Sequence, residues 1–401
     1  MKEVFIADGI RTPIGNFRGS LSAMRADDMA ALVLKKLVER NPNIPPSVID
    51  DVIIGCANQA GEDNRNIARM ALLLAGIPYT VPGETVNRLC ASGMSAVINA
   101  ARAIHAGDGD VFIAGGAEQM TRGPWVISKT AQAYGQDAKM YDSSFGWRFI
   151  NPLMQEMYGT DAMGVTAENL AEMYNISRED QDIFSFRSHI KAAAAQQAGR
   201  LAEEITDVEL PNKKGAPTIV NTDEFIKPNT TTEILAKLKP AFKKDGTVTA
   251  GNASGLNDGA AAVFIVSAGA VKKYGITPKA RIVSSAVTGV EPRIMGIGPV
   301  SATQKALAKA GLTLADMGII ELNEAFAAQS LAVMRQLGMA DDDSRVNPNG
   351  GAIALGHPLG MSGTRIINSA AIELHKQNKR YALATMCIGL GQGYAVILER
   401  V

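Results

Sequence analysis

Cys90 stands in the stretch VNRLCASGMSAV, Val86 to Val97, between a polar Asn-Arg lead-in and a run of small residues. A thiol placed where a strand ends and a helix begins faces the positive end of the helix dipole and free backbone N–H groups, which favour the thiolate and can hold an oxyanion. A cysteine without context is more often a small buried hydrophobe. Here Ala91, Ser92 and Gly93 leave room for a substrate, and the context favours a nucleophile. The glycine-rich run NPNGGAIALGHPLGMSG supplies His357, presented from a tightly turning backbone instead of a mobile loop. Cys387, in MCIGLGQG, falls at the end of the last buried strand, the carboxyl edge where α/β active sites collect. The glycines after it lack the strand–G-x-G-x-x-G–helix order, so no nicotinamide cofactor is expected. Asn323 and Glu324, in ELNEAFAAQ, lie at the mouth of another strand. A helix-capping Asn with an acidic first turn is the plain account of that pair, and a polar role in the site is the other.

The elements that must position these residues occur twice. The first half reads as a helix around Met29–Arg40, a buried strand DVIIG, an elbow and helix VNRLCASGMSAVINAARAIHAG, and a strand DVFIAGGAE. The second half reads as a helix at Ala302–Ala310, a strand IIELN, an elbow and helix GHPLGMSGTRIINSAAIELHKQ, and a strand YALATMCIG. Gly93-Met94-Ser95 recurs as Gly360-Met361-Ser362, an offset of 360 − 93 = 267, and Ile53-Ile54 recurs as Ile319-Ile320, an offset of 319 − 53 = 266. Two near-equal offsets in the same element order indicate a duplicated α/β half with parallel strands and crossover helices. At that offset Cys90 falls opposite His357, since 357 − 90 = 267. A two-fold pairing of the halves therefore brings the two elbows together.

Between the halves lies a segment of different character. It holds both tryptophans, Trp125 and Trp147, and a cluster of other aromatic residues from Tyr134 to Tyr158. From Pro211 to Lys244 seven lysines stand against three acids, a local excess of 7 − 3 = +4 that reads as a patch for a polyanion or as a solvated face. Over the whole chain 40 basic residues balance 40 acidic ones, so nothing in the global charge gathers nucleic acid or an anionic membrane. No apolar run is long enough for a signal peptide or a membrane span, and three widely spaced cysteines fit neither a disulfide framework nor a zinc site. A cytoplasmic protein with free thiols and no bound metal is expected.

NRLCASG at Cys90, TAGNASGLNDGAAA at Thr249–Ala262, NEAFAAQ from Asn323, the run around His357 and CIGLGQG from Cys387 together resemble the thiolases, and the likeness spans essentially the whole chain. The resemblance implies two similar α/β halves with mostly parallel mixed sheets in a layered αβαβα core. Residues 1–119, rejoined by 249–272, would form one half and residues 273–401 the other, with 120–248 as a loop domain over the coenzyme A site. It implies covalent, ping-pong catalysis, in which Cys90 attacks a 3-oxoacyl-CoA and His357 activates it. Cys387 would exchange the second proton, Asn323 would hold a water in one oxyanion hole, and the N–H groups of Cys90 and Gly389 would form the other. Coenzyme A, as co-substrate and not as a resident cofactor, would run past Ser254, Ala253, Phe242, Met163, Phe326 and Lys227. Ala162 and Lys227 depart from the pattern of the biosynthetic members, which carry histidine and arginine there. CANQAGEDNRNIARM and DSSFGWRFINPLM look most similar to members that cleave 3-oxoadipyl-CoA to succinyl-CoA and acetyl-CoA in aromatic-compound degradation. For that substrate's carboxylate Arg148 and Arg65 are the candidate partners. The alternatives are a general acetyl-CoA acetyltransferase acting on acetoacetyl-CoA or medium chains, and a non-catalytic acyl-CoA carrier of the same fold. A homo-oligomer, dimer or tetramer, is implied, with the Met120–Phe149 region at the tetramer contact.

Overall fold

The computed structural model of the protein describes residues 2–212 and 215–401; Lys213 and Lys214 of the lysine-rich segment lie outside the described residues. Nine strands form the frame: β1 (Val4–Arg11), β2 (Asp51–Gly55), β3 (Gly83–Val86), β4 (Val111–Gln119), β5 (Asn257–Ser267), β6 (Ala280–Gly289), β7 (Met317–Leu322), β8 (Tyr381–Ile388) and β9 (Gln392–Arg400). The helices that bear on the site are α1 (Ala26–Arg40), α2 (Ser92–Ala106), α3 (Met163–Met173), α4 (Arg178–Gln197), α5 (Gly298–Ala310), α6 (Ala327–Gln336) and α7 (Leu359–Lys376). The strands run in the order β7-β8-β9-β6-β1-β5-β4-β2-β3, and Gly15–Asn16 adds a short strand beside β5.

The order is that of two matching halves. Reading outward from the β1–β6 contact, β1-β5-β4-β2 corresponds to β6-β9-β8-β7, and the repeated segments occupy equivalent places. Side chains alternate across a strand with period two, and here both faces are buried. In β2, Ile53 joins the central cluster, whereas Val52 and Ile54 join the outer cluster that also holds residues of α1. In β7, Ile319 joins the central cluster, whereas Ile320 and Leu322 pack with residues of α5 and α6. The central cluster is built on Met94 and Val97 of α2 and Ile366 and Ile367 of α7, with strands of both halves around them. Five layers result: outer helices, strands, the α2–α7 pair, strands and outer helices.

Strand direction differs from the expectation of mostly parallel sheets. Among the nine frame strands parallel pairing is confined to β2–β3, β2–β4 and β7–β8, and the pairs from β4 through β5, β1, β6 and β9 to β8 are antiparallel. The cause is local. A three-residue turn, Gly389 to Gly391, joins β8 to β9, and so tight a connection forces neighbouring strands to run oppositely. Strand β5 takes the equivalent place in the first half, antiparallel to β4 and β1. The α2–α7 crossing depends on close backbone approach, because a Cβ on Gly93 would overlap Gly360 O and one on Gly363 would meet Met94.

The intervening segment adds α3, α4 and two small hairpins. One hairpin, Trp125–Ile127 with Met140–Asp142, points outward with Trp125 72% exposed. The segment is pinned to β1 by buried Arg11, which donates from Nη1 and Nη2 to Asp223 (2.7 and 2.8 Å) and from Nε to Glu204 (2.7 Å). Among the described residues no helix is long and apolar enough to cross a membrane.

Candidate active site

Cys90 occupies the bend between β3 and α2. Leu89 holds φ at 47°, a left-handed backbone that a non-glycine residue adopts under strain. The bend is closed by Ala91 N–H to Arg88 C=O and Ser92 N–H to Leu89 C=O (3.1 and 3.0 Å). Arg88 donates to Ser95 Oγ (2.8 Å) and to Gln392 Oε1 (3.0 Å), which ties the bend to the turn that carries Gly389. The N–H groups of Gly389 and of Cys90 itself are directed at the thiol sulfur. Burial nevertheless pushes the Cys90 thiol up to about 11; the two N–H groups pull it down and the Glu118 carboxylate adds a smaller upward push. The expected helix-depressed thiolate is thus not the resting state. Helix α2 begins at Ser92, past Cys90, so desolvation of the charged form outweighs the dipole.

His357 lies in the equivalent bend before α7. Gly93 and Gly360, each three residues beyond its elbow residue, meet where α2 and α7 cross, so Cys90 and His357 are brought to one end of the helix pair. Asn257 Oδ1 accepts the His357 backbone N–H at 2.9 Å. His357 Nδ1 is 2.6 Å from Ser362 Oγ, whose hydroxyl donates to Pro358 C=O at 2.9 Å. That hydroxyl therefore accepts from Nδ1–H, which leaves the lone pair on Nε2. Asn323 Nδ2 stands 3.4 Å from Nε2. Burial, with Arg365 adding to it, takes the imidazole down to about 3 and keeps it neutral. The capping account of Asn323 fails: α6 starts at Ala327 with Phe326 at the cap, and Asn323 Oδ1 is buried without a hydrogen-bond partner among the described residues. Its neighbour Glu324 accepts from Ser188 Oγ, Asn347 Nδ2 and Ile353 N–H, a structural role.

Cys387 lies one residue before the end of β8, and burial raises its thiol far above the ordinary range, with the Cys90 sulfur adding to the push. It packs with Ala253 and Phe326. Ser254 N–H donates to Ala325 C=O (3.0 Å), and Phe242 meets Phe326 edge-on with ring centroids 6.2 Å apart. The Phe242 ring covers Gly164, next to Met163, whose sulfur lies beside Gly389. Lys227 is exposed, its Nζ 5.0 Å from the Phe225 ring centroid, and Phe225 packs on Gly255 beside Ser254. Packing contacts thus link Met163 through Phe242 and Phe326 to Ala253 and Cys387, with Lys227 reached through Phe225 and Gly255. Arg148 reaches the loop after β2, donating from Nη2 to Asn58 Oδ1 (2.9 Å). Arg65 is exposed at φ 64° and makes no ion pair among the described residues.

Sequence reasoning missed Ser362, Asn257 and Glu118. Ser362 had a visible signal: it is the repeat counterpart of Ser95, and each serves its own elbow, on His357 and on Arg88. Glu118, at the end of β4, accepts N–H groups from Ala57, Asn58 and Gly360 (3.0, 3.0 and 2.9 Å) and so joins the halves beneath the site. Burial pushes it up to about 7, opposed by those N–H groups. Cys56 and Asp63 lie beside it, but the carboxylate oxygens of Asp63 and Glu118 are taken by backbone N–H donors.

This arrangement has known relatives. Residues 4–269 match the family described as thiolase, N-terminal domain, and residues 276–400 match thiolase, C-terminal domain. The chain is 60% identical over 401 residues to the 3-oxoadipyl-CoA/3-oxo-5,6-dehydrosuberyl-CoA thiolase of Escherichia coli K12, covering all of both chains. It is 58% identical to the beta-ketoadipyl-CoA thiolase of Pseudomonas putida, again over the full length of each. The crystal structure of human mitochondrial 3-ketoacyl-CoA thiolase in complex with CoA superimposes with a TM-score of 0.92 at 42% identity, covering 100% of this chain and 98% of that one. The chain belongs to the thiolase family.

Proposed function

We propose that this thiolase cleaves 3-oxoadipyl-CoA with coenzyme A to give acetyl-CoA and succinyl-CoA, through an acyl group carried on Cys90. The observation that carries the chemistry is the convergence on one sulfur of two backbone N–H donors, with a neutral imidazole held in the paired elbow. The full-length identity to relatives named for 3-oxoadipyl-CoA and beta-ketoadipyl-CoA supports the substrate.

In this reading His357 Nε2 takes the Cys90 proton as the sulfur attacks the C3 carbonyl. The resulting oxyanion lies against the N–H groups of Cys90 and Gly389, each such donor contributing ~10²–10³ in rate. The C2–C3 bond then breaks, its electrons pass into the enolate of acetyl-CoA, and Cys387 protonates that carbon. The enolate oxygen accepts from the protonated His357 Nε2 and from a water held on Asn323. Incoming coenzyme A, lying along Ser254, Ala253, Phe242, Met163, Phe326 and Lys227, gives its thiol proton to Cys387 and takes the succinyl group from Cys90. No step calls for a metal or a second cofactor. The exposed Trp125 hairpin fits a contact between copies of the chain, and the three free thiols fit a reducing cytoplasm.

The test compares kcat/KM for 3-oxoadipyl-CoA and acetoacetyl-CoA and traps the acyl-enzyme for mass spectrometry. A preference for the dicarboxylic substrate with succinyl mass on Cys90 is expected. Equal or reversed preference would make the chain a general thiolase with the same chemistry. Acyl mass on another residue would remove Cys90 from its role.

A further inference from the structure

We infer that Arg148, seated on Asn58, receives the free carboxylate of the acyl group, and that Arg65 does not. The inference rests on the substrate reading above and names the part of the site that would read the dicarboxylic end.

The loop at Ala57–Asn58 borders the nucleophile. Asn87 accepts the Leu89 N–H (2.9 Å) and donates to Ala57 C=O (2.9 Å), so one side chain joins the Cys90 elbow to that loop. Asn58 is fixed on three sides: its N–H on Glu118, its Nδ2 on Ser143 Oγ (3.3 Å), and its Oδ1 under Arg148 Nη2 (2.9 Å). A succinyl group on Cys90 carries its free carboxylate ~6 Å beyond the sulfur, the scale of one side chain. The Arg148 guanidinium, bonded to Asn58 of the loop that Asn87 ties to the elbow, is the cation this chain of contacts leads to from Cys90.

The charge balance points the same way. Arg148 is half-buried, yet its partners are the neutral oxygens of Asn58 and Ser143 (2.9 and 3.3 Å). Of the five N–H groups of a guanidinium these bonds use two, leaving 5 − 2 = 3 for an incoming carboxylate. A partly desolvated cation without an anion gains most from one arriving with the substrate, and the planar fork suits a carboxylate. The flanking residues hold the segment in place. Trp147 Nε1 donates to Asp161 C=O (3.2 Å), and Phe149 packs edge-on against Tyr141 with centroids 5.0 Å apart. Arg88 is nearer to Cys90 in sequence, but it is committed elsewhere: bound to Ser95 and Gln392, its guanidinium lies 5.8 Å from the Tyr394 ring centroid.

The experiment measures kcat/KM of the full-length enzyme for 3-oxoadipyl-CoA and for 3-oxohexanoyl-CoA, an uncharged chain of equal carbon count. It is run on the wild type and on Arg148→Leu, Arg148→Gln, Arg148→Lys and Arg65→Ala, each checked for folding by thermal melting. Loss of a partly buried charge pair predicts a fall of ~30-fold in the dicarboxylic-to-neutral ratio for Leu and Gln, seen chiefly in KM. Lys restores part of the ratio, because it keeps the charge and loses the fork, and Arg65→Ala leaves the ratio within about twofold. A wild-type preference that survives both Leu and Gln overturns the inference alone. A wild type without preference overturns the substrate reading and the inference with it.

Discussion

The Cys90 thiol, raised to about 11, and the imidazole of the equivalent elbow, lowered to about 3, are both neutral, and desolvation leads both shifts. In the proposed reaction a proton transfer from Cys90 to His357 ahead of substrate would be uphill, so the thiolate would form as the substrate carbonyl arrives and the oxyanion gains its two N–H donors. Such a resting state protects the sulfur from idle oxidation, since it is the thiolate that reacts. Ser362 completes the arrangement by holding Nδ1–H, which aims the free lone pair of Nε2 at the site. The pairing predicts how free Cys90 behaves. Its alkylation by iodoacetamide, followed residue by residue with mass spectrometry, should quicken steadily from about pH 7 to about pH 10, because the thiolate fraction rises throughout that range. A rate already level near neutral pH would mean that a thiolate–imidazolium pair exists beforehand.

The elbows of Cys90 and His357 are brought to one end of the helix pair because two helices cross at glycines. Gly116 of β4 packs against Gly360 so closely that a Cβ there would overlap the Gly360 carbonyl. Gly116→Ala should therefore push α7 away from β4 and lose ~1–3 kcal/mol in urea unfolding. Activity should fall even where the variant is folded, because the His357 elbow rides on α7; unchanged kcat in a destabilised variant would separate the crossing from catalysis. Much of this was legible in the residues. The shared offset of Gly93-Met94-Ser95 and Ile53-Ile54 identified equivalent elements and set Cys90 opposite His357. Strand direction was not legible, since a period-two apolar strand buried on both faces looks the same whichever way its neighbour runs. Nor was the state of Cys90, which depends on what packs over it. Asn323 looked like a helix cap because its short-range sequence context is that of one, and only its distance from α6 shows otherwise. Glu118 gave no signal because its three donors come from residues 57, 58 and 360, far apart in the chain.

At the scale of the molecule, the intervening segment that brings Met163 beside Gly389 and Phe242 against Phe326 is fastened to the duplicated core by buried charge. Arg11 of β1 holds Glu204 and Asp223 from that segment, and Arg200 joins Glu204 to Glu373 of α7. Burial alone would raise the Glu204 carboxyl, but Arg11 and Arg200 together hold it down to about 2, against 4.5 for a free glutamate. A carboxylate lowered on folding stabilises the native state above its unfolded value and loses that contribution as pH falls towards its folded one. The window here is therefore from about pH 4.5 down to about pH 2. Removing one partner of so buried a group leaves a charge uncompensated, so Glu204→Gln should lose ~3–5 kcal/mol in urea unfolding at neutral pH. Between about pH 5 and about pH 3 the wild type should lose stability more steeply than the variant, which has no proton to take up at that position. The cover is also where coenzyme A is proposed to lie, so the variant at neutral pH should show a raised KM for coenzyme A before any loss of Cys90 acylation. Parallel slopes in acid would place the pH sensitivity of the fold in other carboxylates and leave Arg11 as a packing residue.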